Sequence, residues 1–206
     1  LDPIVNEFKR LFGEISVNLD QSESGQFVAD LLDSEPNRLR SSFRDMLYSQ
    51  TLGQPLFTTE LLRGMQERGN LIKDQSGRWI EGPALDWETL PARVEAVVAE
   101  RINRLDHSLQ ATLRLASVEG EIFTAEVVAQ VQTVSERELV GHLSGELDRR
   151  HRLVRAQAIQ RLGSRRVSHY RFRNYLFQKY LYDHLDQVER AYLHEDVGSV
   201  LEELYG

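Results

Sequence analysis

The chain contains no cysteine. That absence excludes disulfides, thiol nucleophiles and thiolate metal sites together. Long apolar runs are missing too. The longest, such as Val97-Val98-Ala99, cover only a few residues, far short of a membrane span. The opening stretch LDPIVNEFKR lacks the basic region and apolar core of a signal peptide. These absences lead to the expectation of a cytoplasmic protein without membrane contact. Catalytic signatures are lacking as well: there is no GxxxxGK[ST], no GxGxxG, no HExxH and no GxSxG. The six histidines (His107, His142, His151, His169, His184 and His194) show no i,i+4 pairing with carboxylates in a metal-ligand pattern, so no metal site is expected. Acidic pairs such as Glu202-Glu203 fall at solvated helix positions, where acid–base work would first need burial to shift a pKa. On its own residues the chain does not read as a complete enzyme. It has no fixed-period repeat and no low-complexity segment.

What is present is an ordinary globular composition, 41% hydrophobic and 28% charged over 206 residues. That length suits one large domain or a few small ones. The net charge is −7, but it is unevenly distributed. Ten of the 25 bases fall between Arg149 and Tyr182, a stretch without a single acid. Elsewhere 15 bases face 32 acids, a net of −17. A bipolar chain of this kind either turns its positive patch to a neighbour or leaves it as a solvated face.

Hydrophobic spacing divides the chain. Residues 3–12 carry a helical pattern closed by Gly13, and Ile15, Val17 and Leu19 alternate as in a strand. Two helical patterns follow, with Phe27, Val28, Leu31 and Leu32, then Leu39, Phe43, Met46 and Leu47. Gly53 breaks the second. Pro55 opens another helix in its first turn, and Gly69 ends it. Leu71-Ile72 and Trp79-Ile80 flank a Gln75-Ser76-Gly77 turn, which predicts a hairpin. The stretch WETLPARVEAVVAERINRLD reads as an amphipathic helix capped by Thr89, with Pro91 in its first turn. Helices are expected over Ser108–Glu119, Ala125–Gln132 and Glu136–Arg149, the last opened by a Ser135-x-x-Glu138 capping box. Two β-rich arms, Leu153–Ile159 and Val167–Phe172, surround a Gly163-Ser164 turn. Helix–helix–helix–hairpin is the order of a winged helix. Helices Tyr175–His184 and Gln187–Tyr205 close the chain, the second behind an Asp186-x-x-Glu189 box. The expected fold class is mainly α: a helical bundle, then a winged-helix domain with a small β-hairpin wing and trailing helices.

A winged helix raises the question of DNA. The helix before the wing normally enters the major groove. Here it carries Glu136, Glu138, Glu146 and Asp148, which phosphates would repel. The wing is basic through Arg161, Arg165 and Arg166, which suits nonspecific phosphate contact better than base readout. On the following strand Arg171 and Arg173 alternate with Tyr170 and Phe172. The guanidinium groups therefore share one face and the rings the other. The rings are expected inside. The arginines are left for phosphate, a domain interface or DNA.

Three stretches carry a family resemblance. TLGQPLFTTELLRGMQERGNLIKDQSGRW resembles the T-x-G-N-P-L-F-x-x-E-L-L-R segment of STAND-type ATPases, signal-transducing relatives of the AAA+ proteins. LPARVEAVVAERINRLDHSLQATLRLASVEGEIF is similar to their connecting helix and first winged-helix segment. YRFRNYLFQKYLY, with the later ERAYLHEDVGSVLEELYG, resembles their F-R-F-R-H-x-L closing region. The match runs from about Ile15 to Tyr205 and fits the multidomain bacterial regulator type.

The resemblance implies a fragment: residues 1–19 ending a nucleotide-binding domain, 20–69 a helical lid, 70–106 a hairpin and connecting helix, 107–174 the winged helix, and 175–206 trailing helices. The P-loop domain would precede Leu1 and hold ATP or ADP with its Mg, so the fragment alone should bind nucleotide only weakly. The fragment would couple nucleotide state to opening of a transcriptional regulator or cyclase-linked protein. Its partners would be its own P-loop domain and a following helical-repeat domain. The G-x-P-L motif of these proteins packs near adenine, which carries over to Gly53, Pro55 and Leu56. Their phosphate-sensing histidine is replaced here by Asn174, which can donate a hydrogen bond but carries no charge. Two other readings stay open: a DNA-binding protein using the basic wing, and a scaffold whose segment 149–182 docks an acidic protein.

Overall fold

The computed structural model describes residues 23–206 apart from Ala84 and Ser164, with side chains from Gly25 onward. The helix and strand expected before residue 20 lie outside the described residues. So does the 1–19 end of a nucleotide-binding domain. The chain is mainly helical, with two small antiparallel sheets.

Three helices open the described chain: α1 (Glu23–Asp33), α2 (Ser41–Thr51) and α3 (Pro55–Glu67). Their helically spaced apolar residues Val28, Leu32, Phe43, Leu47, Leu61, Leu62 and Met65 meet in one buried cluster. A hairpin of β1 (Leu71–Lys73) and β2 (Trp79–Glu81) closes that cluster with Leu71 and Trp79. Its turn lies at the expected place. Gly77 adopts φ 74, and the Asp74 carboxylate accepts the N–H groups of Ser76 and Arg78 at 2.8 and 3.0 Å. The outer edge of β2 is also occupied. The Trp79 N–H donates to the Pro36 carbonyl at 2.9 Å, and the Arg38 N–H donates to the Trp79 carbonyl at 2.8 Å.

Helix α4 (Ala92–Asn103) follows. Thr89 is not its cap, and Pro91 is not in its first turn. Pro91 occupies the cap position itself, with ψ 141, and the helix begins one residue later. Proline supplies no side-chain acceptor and has no N–H to satisfy, so the helix starts by backbone geometry alone. Gly64 lets this entry sit tightly on α3. A Cβ there would lie 2.5 Å from Pro91 Cγ.

The second half contains α5 (His107–Glu119), β3 (Ile122–Thr124), α6 (Ala125–Val131), α7 (Glu136–Gly141), β4 (Val154–Leu162), β5 (Arg165–Phe172), α8 (Tyr175–Asp183) and α9 (Gln187–Tyr205). Asp106, Ser135 and Asp186 cap α5, α7 and α9 with their side-chain oxygens. Strand β5 is central, in the order β3-β5-β4. The single helix expected over Glu136–Arg149 instead changes winding: α7 runs on as a π-helical segment, His142–Arg150. Leu139, Leu143 and Leu147 stay buried across that change, so the apolar spacing gives no signal of it. Both β arms are longer than expected and meet at Gly163, φ 59. Arginines do not end a strand when the ladder satisfies the backbone and the side chains stay in water. A bulge between Ala156 and Ala158 leaves Gln157 without a register partner.

The second buried cluster takes Phe57 from α3 and then runs from Leu90 to Val197, with Phe123, Leu143, Leu147, Val154, Phe172 and Leu176 at its centre. Residues 70–106, expected as a connector, have no core of their own. Their hairpin packs into the first cluster and α4 into the second.

Candidate functional site

The two cores meet where α2 ends. Thr51 is fully buried, donating to the Leu47 carbonyl at 2.8 Å and accepting from the Gly53 N–H at 3.2 Å. The Thr58 hydroxyl, also fully buried, lies 3.0 Å from the Thr51 hydroxyl. These bonds hold a tight bend in which Leu52 (φ 51) and Gly53 (φ 66) are both left-handed. Only glycine takes that conformation freely, so Leu52 is strained and Gly53 is not. Pro55 then starts α3, and Leu56 stands half exposed beside the bend.

Asn174 comes to this bend from across the molecule. It is completely buried. Its Oδ1 accepts the Leu176 N–H at 2.8 Å, capping α8. Its Nδ2 donates to the Thr51 carbonyl at 3.3 Å, joining residues 123 apart in sequence. The structure therefore brings Asn174 and the Gly53–Pro55 bend together, with the asparagine amide already committed to protein groups. Phe57 and Phe177 pack edge to face beside them, with centroids 6.1 Å apart. The Arg101 guanidinium lies 4.9 Å over Phe177.

Lys179, one helical turn further along, is only 7% exposed. Its Nζ reaches Glu88 at 2.9 Å and Asp183 at 3.1 Å. Burial works against the ammonium, but the hydrogen bonds to Glu88 and Asp183 outweigh it and hold its pKa above the ordinary lysine value. Glu88 belongs to the segment leading into α4, so this pair ties α8 to the junction between the cores. Its contribution is complete below the unfolded lysine pKa and is lost as pH rises through the raised folded-state value.

The basic run divides into two groups. At its inner end the rings Tyr170 and Phe172 do face the core. The arginines alternating with them are not left free. Arg171 donates to Glu121 at 2.8 and 2.7 Å. Arg173 donates to Asp148 at 2.6 Å and to the Val154 carbonyl at 3.0 Å. Arg165 lies 3.8 Å from Glu203. Among the described residues Arg149, Arg155, Arg161 and Arg166 form no ion pair and no side-chain hydrogen bond. Arg161 and Arg166 stand directly opposite one another across the ladder.

Thr51, Thr58, Glu88 and Lys179 were not singled out from sequence. Thr51 had a signal, because it opens the quoted TLGQP segment. Lys179 and Glu88 are 91 residues apart, and their pairing had none. No group of three or more His, Cys, Asp or Glu among the described residues is placed to hold a metal ion. No helix among them is long and apolar enough to cross a membrane. Comparison of the chain with protein-family models, curated proteins and solved structures gives no match.

Proposed function

We propose that this chain is a non-catalytic regulatory segment of a STAND-type signal-transduction ATPase, a helical lid followed by a winged helix. The observation that carries the reading is the bond from Asn174 to Thr51, between the two segments that the resemblance assigns to nucleotide. The element order helix–strand–helix–helix–hairpin, with the β3-β5-β4 sheet, supports the winged-helix part. In this reading the Asn174–Thr51 contact belongs to one of two arrangements of the cores, and nucleotide held by a P-loop domain in a longer cytoplasmic protein shifts the balance between them. ATP, ADP and Mg would be bound mainly by that domain, where the phosphate contacts would lie. Gly53, Pro55 and Leu56 would lie near the base. The output would be transcription or nucleotide cyclisation in the longer protein. Base readout by α7 and the π-helical segment that continues it is disfavoured, because Glu136, Glu138 and Glu146 would sit among phosphates.

The test uses the longest natural form, extended upstream and purified without added nucleotide. Denaturation should release near-stoichiometric ADP or ATP from it, and none from the 206-residue chain. Nucleotide in neither would end the switch reading, and tight nucleotide binding by the 206-residue chain alone would overturn the division of labour. Asn174→Ala removes a helix cap and a buried donor, which should cost about 1–3 kcal/mol in urea unfolding. In the longer form it should also change nucleotide retention.

A further inference from the structure

The seven residues Arg155–Arg161 of β4 are all exposed. Among the described residues β4 is an edge strand, paired on one side with β5 and with nothing on the other. Alternate residues of such a strand point N–H and C=O groups outward. Among the described residues no side chain or loop bonds to the backbone of this stretch outside the β4–β5 ladder. An open groove of about 760 Å³ lies between α7 and one face of the hairpin, lined by Ala156, Ala158, Ile159 and Tyr170 and also by the charged Glu126, Glu136 and Arg166. Ile159 is 70% exposed at the middle of the edge.

The geometry points to this edge as a docking site for an extended acidic segment of another protein, which would add to the sheet as a fourth strand beside β4. The backbone would supply the hydrogen bonds, and the groove would take apolar or β-branched side chains from alternate positions. Charge selects the occupant. Arg155 and Arg161 lie towards opposite ends of the edge, and Arg149 and Arg166 stand nearby, all four without an ion partner among the described residues. A second copy of this chain fits poorly. Two β4 strands paired antiparallel about Ala158 would set Arg155 against Arg161 at both ends, and like charges directly opposite destabilise a sheet. Nucleic acid also fits less well. Phosphates would approach the carboxylates of Glu126 and Glu136, and they offer nothing to Ile159 or to the outward backbone groups. Glu126 and Glu136 line the groove together with Arg137 and Arg166, and these charges offset one another there, so the acids of the partner belong at the ends of its strand.

This inference does not depend on the ATPase reading. The probe is a fluorescein-labelled extended peptide of alternating valine and threonine with paired glutamates at each end. It is titrated into the 206-residue chain and followed by anisotropy and by amide exchange of residues 155–161. A lysine-ended peptide and a short DNA duplex serve as comparisons. The acidic peptide should bind and protect those amides, and the lysine-ended one should bind about tenfold or more weakly. N-methylation of the probe along one edge should abolish binding, whereas along the other edge it should leave binding intact. Arg155→Glu with Arg161→Glu should reverse the preference, and among the described residues neither side chain has a partner to lose. Binding indifferent to N-methylation would overturn strand addition. DNA bound in preference, with affinity falling steeply with salt, would assign the surface to nucleic acid instead. Self-association through β4 would assign it to a second copy. No binding of any probe would overturn the proposal.

Discussion

The molecule contains two hairpins built from the same rules and finished differently. In the first, β1 and β2 are three residues each, and three bases on or beside them, Lys73, Arg78 and Arg40, each have an acid. Lys73 meets Glu35 at 3.1 Å, Arg78 meets Asp74 at 3.1 Å, and Arg40 pairs with Glu81. Its free edge is closed by Pro36 and Arg38, and the Trp79 indole N–H donates to Glu35 at 2.8 Å. In the second, β4 is nine residues long and, among the described residues, nothing pairs with its outer edge. Its inner end is paired through Arg171 and Arg173, while Arg161 and Arg166 face each other near the tip. Natural sheets protect their edges because an open edge recruits other strands. One hairpin follows that rule by being covered. The other carries only a bulge and arginines, devices that deter a second copy of itself more than they deter an acidic stranger.

The largest loss is expected at Trp79. It packs on the first core, its ring lies under Lys73 Nζ at 4.7 Å, and its backbone closes the covered edge. Trp79→Ala should cost about 3 kcal/mol in urea unfolding and should raise exchange at β1, β2 and Arg38 together. A loss confined to one strand would show that the edge closure is independent of the ring. Next comes Arg173→Leu at the paired end of the second hairpin. It leaves Asp148 and the Val154 carbonyl without their donor, which should cost about 2 kcal/mol. An unchanged stability would mean that the inner end is held by Tyr170 and Phe172 alone.

A smaller effect separates the hairpins by pH. Glu35 is held below its ordinary pKa by the Trp79 indole and then by Lys73. Asp74 is lowered chiefly by the Arg78 backbone N–H, and Glu81 by Arg40. Each is a carboxylate with a depressed folded value. Its contribution is present above the unfolded pKa and is lost as pH falls through the folded one. Protection factors in β1 and β2 should therefore fall in acid, below the ordinary carboxylate pKa. Protection at Arg161 and Arg166 should hold better there, because neither side chain is paired with a carboxylate among the described residues. Equal acid sensitivity at those two residues and in the first hairpin would contradict this assignment.

Much of this fold was legible in the residues, for reasons that differ by element. Helical spacing placed α1 to α3, and turn chemistry placed both hairpins, because Gly77 and Gly163 sit where the backbone turns left-handed. The caps Ser135 and Asp186 were read from their own side chains. Pro91 misled, because proline can occupy either a cap or a first turn and only ψ distinguishes them. Strand β3 was missed because three residues do not establish a period, and the π winding because it leaves the leucine spacing unchanged. The site divides in the same way. Thr51, Gly53 and Pro55 lie within one quoted segment, whereas their contact with Asn174 spans 123 residues and depends on how two cores dock. The open edge of β4 was hidden for another reason. Sequence showed ten unopposed bases but not which of them would find acids from distant elements such as Glu121, Asp148 and Glu88.

The facing arginines near the tip of the second hairpin should give the smallest change in stability. Arg161→Glu turns a like-charged cross-strand pair into an opposite one with Arg166. Exposed cross-strand pairs are weak, so the melting temperature should rise by only about 1–2 °C. The same change should weaken binding of the acidic peptide. Stability and binding would then move in opposite directions at one residue, as expected where a site keeps a repulsion in the free protein that its partner relieves. If the variant gained stability and kept its affinity for the peptide, the paired arginines would be a solvated face after all, and the open edge would have to be explained by its backbone alone.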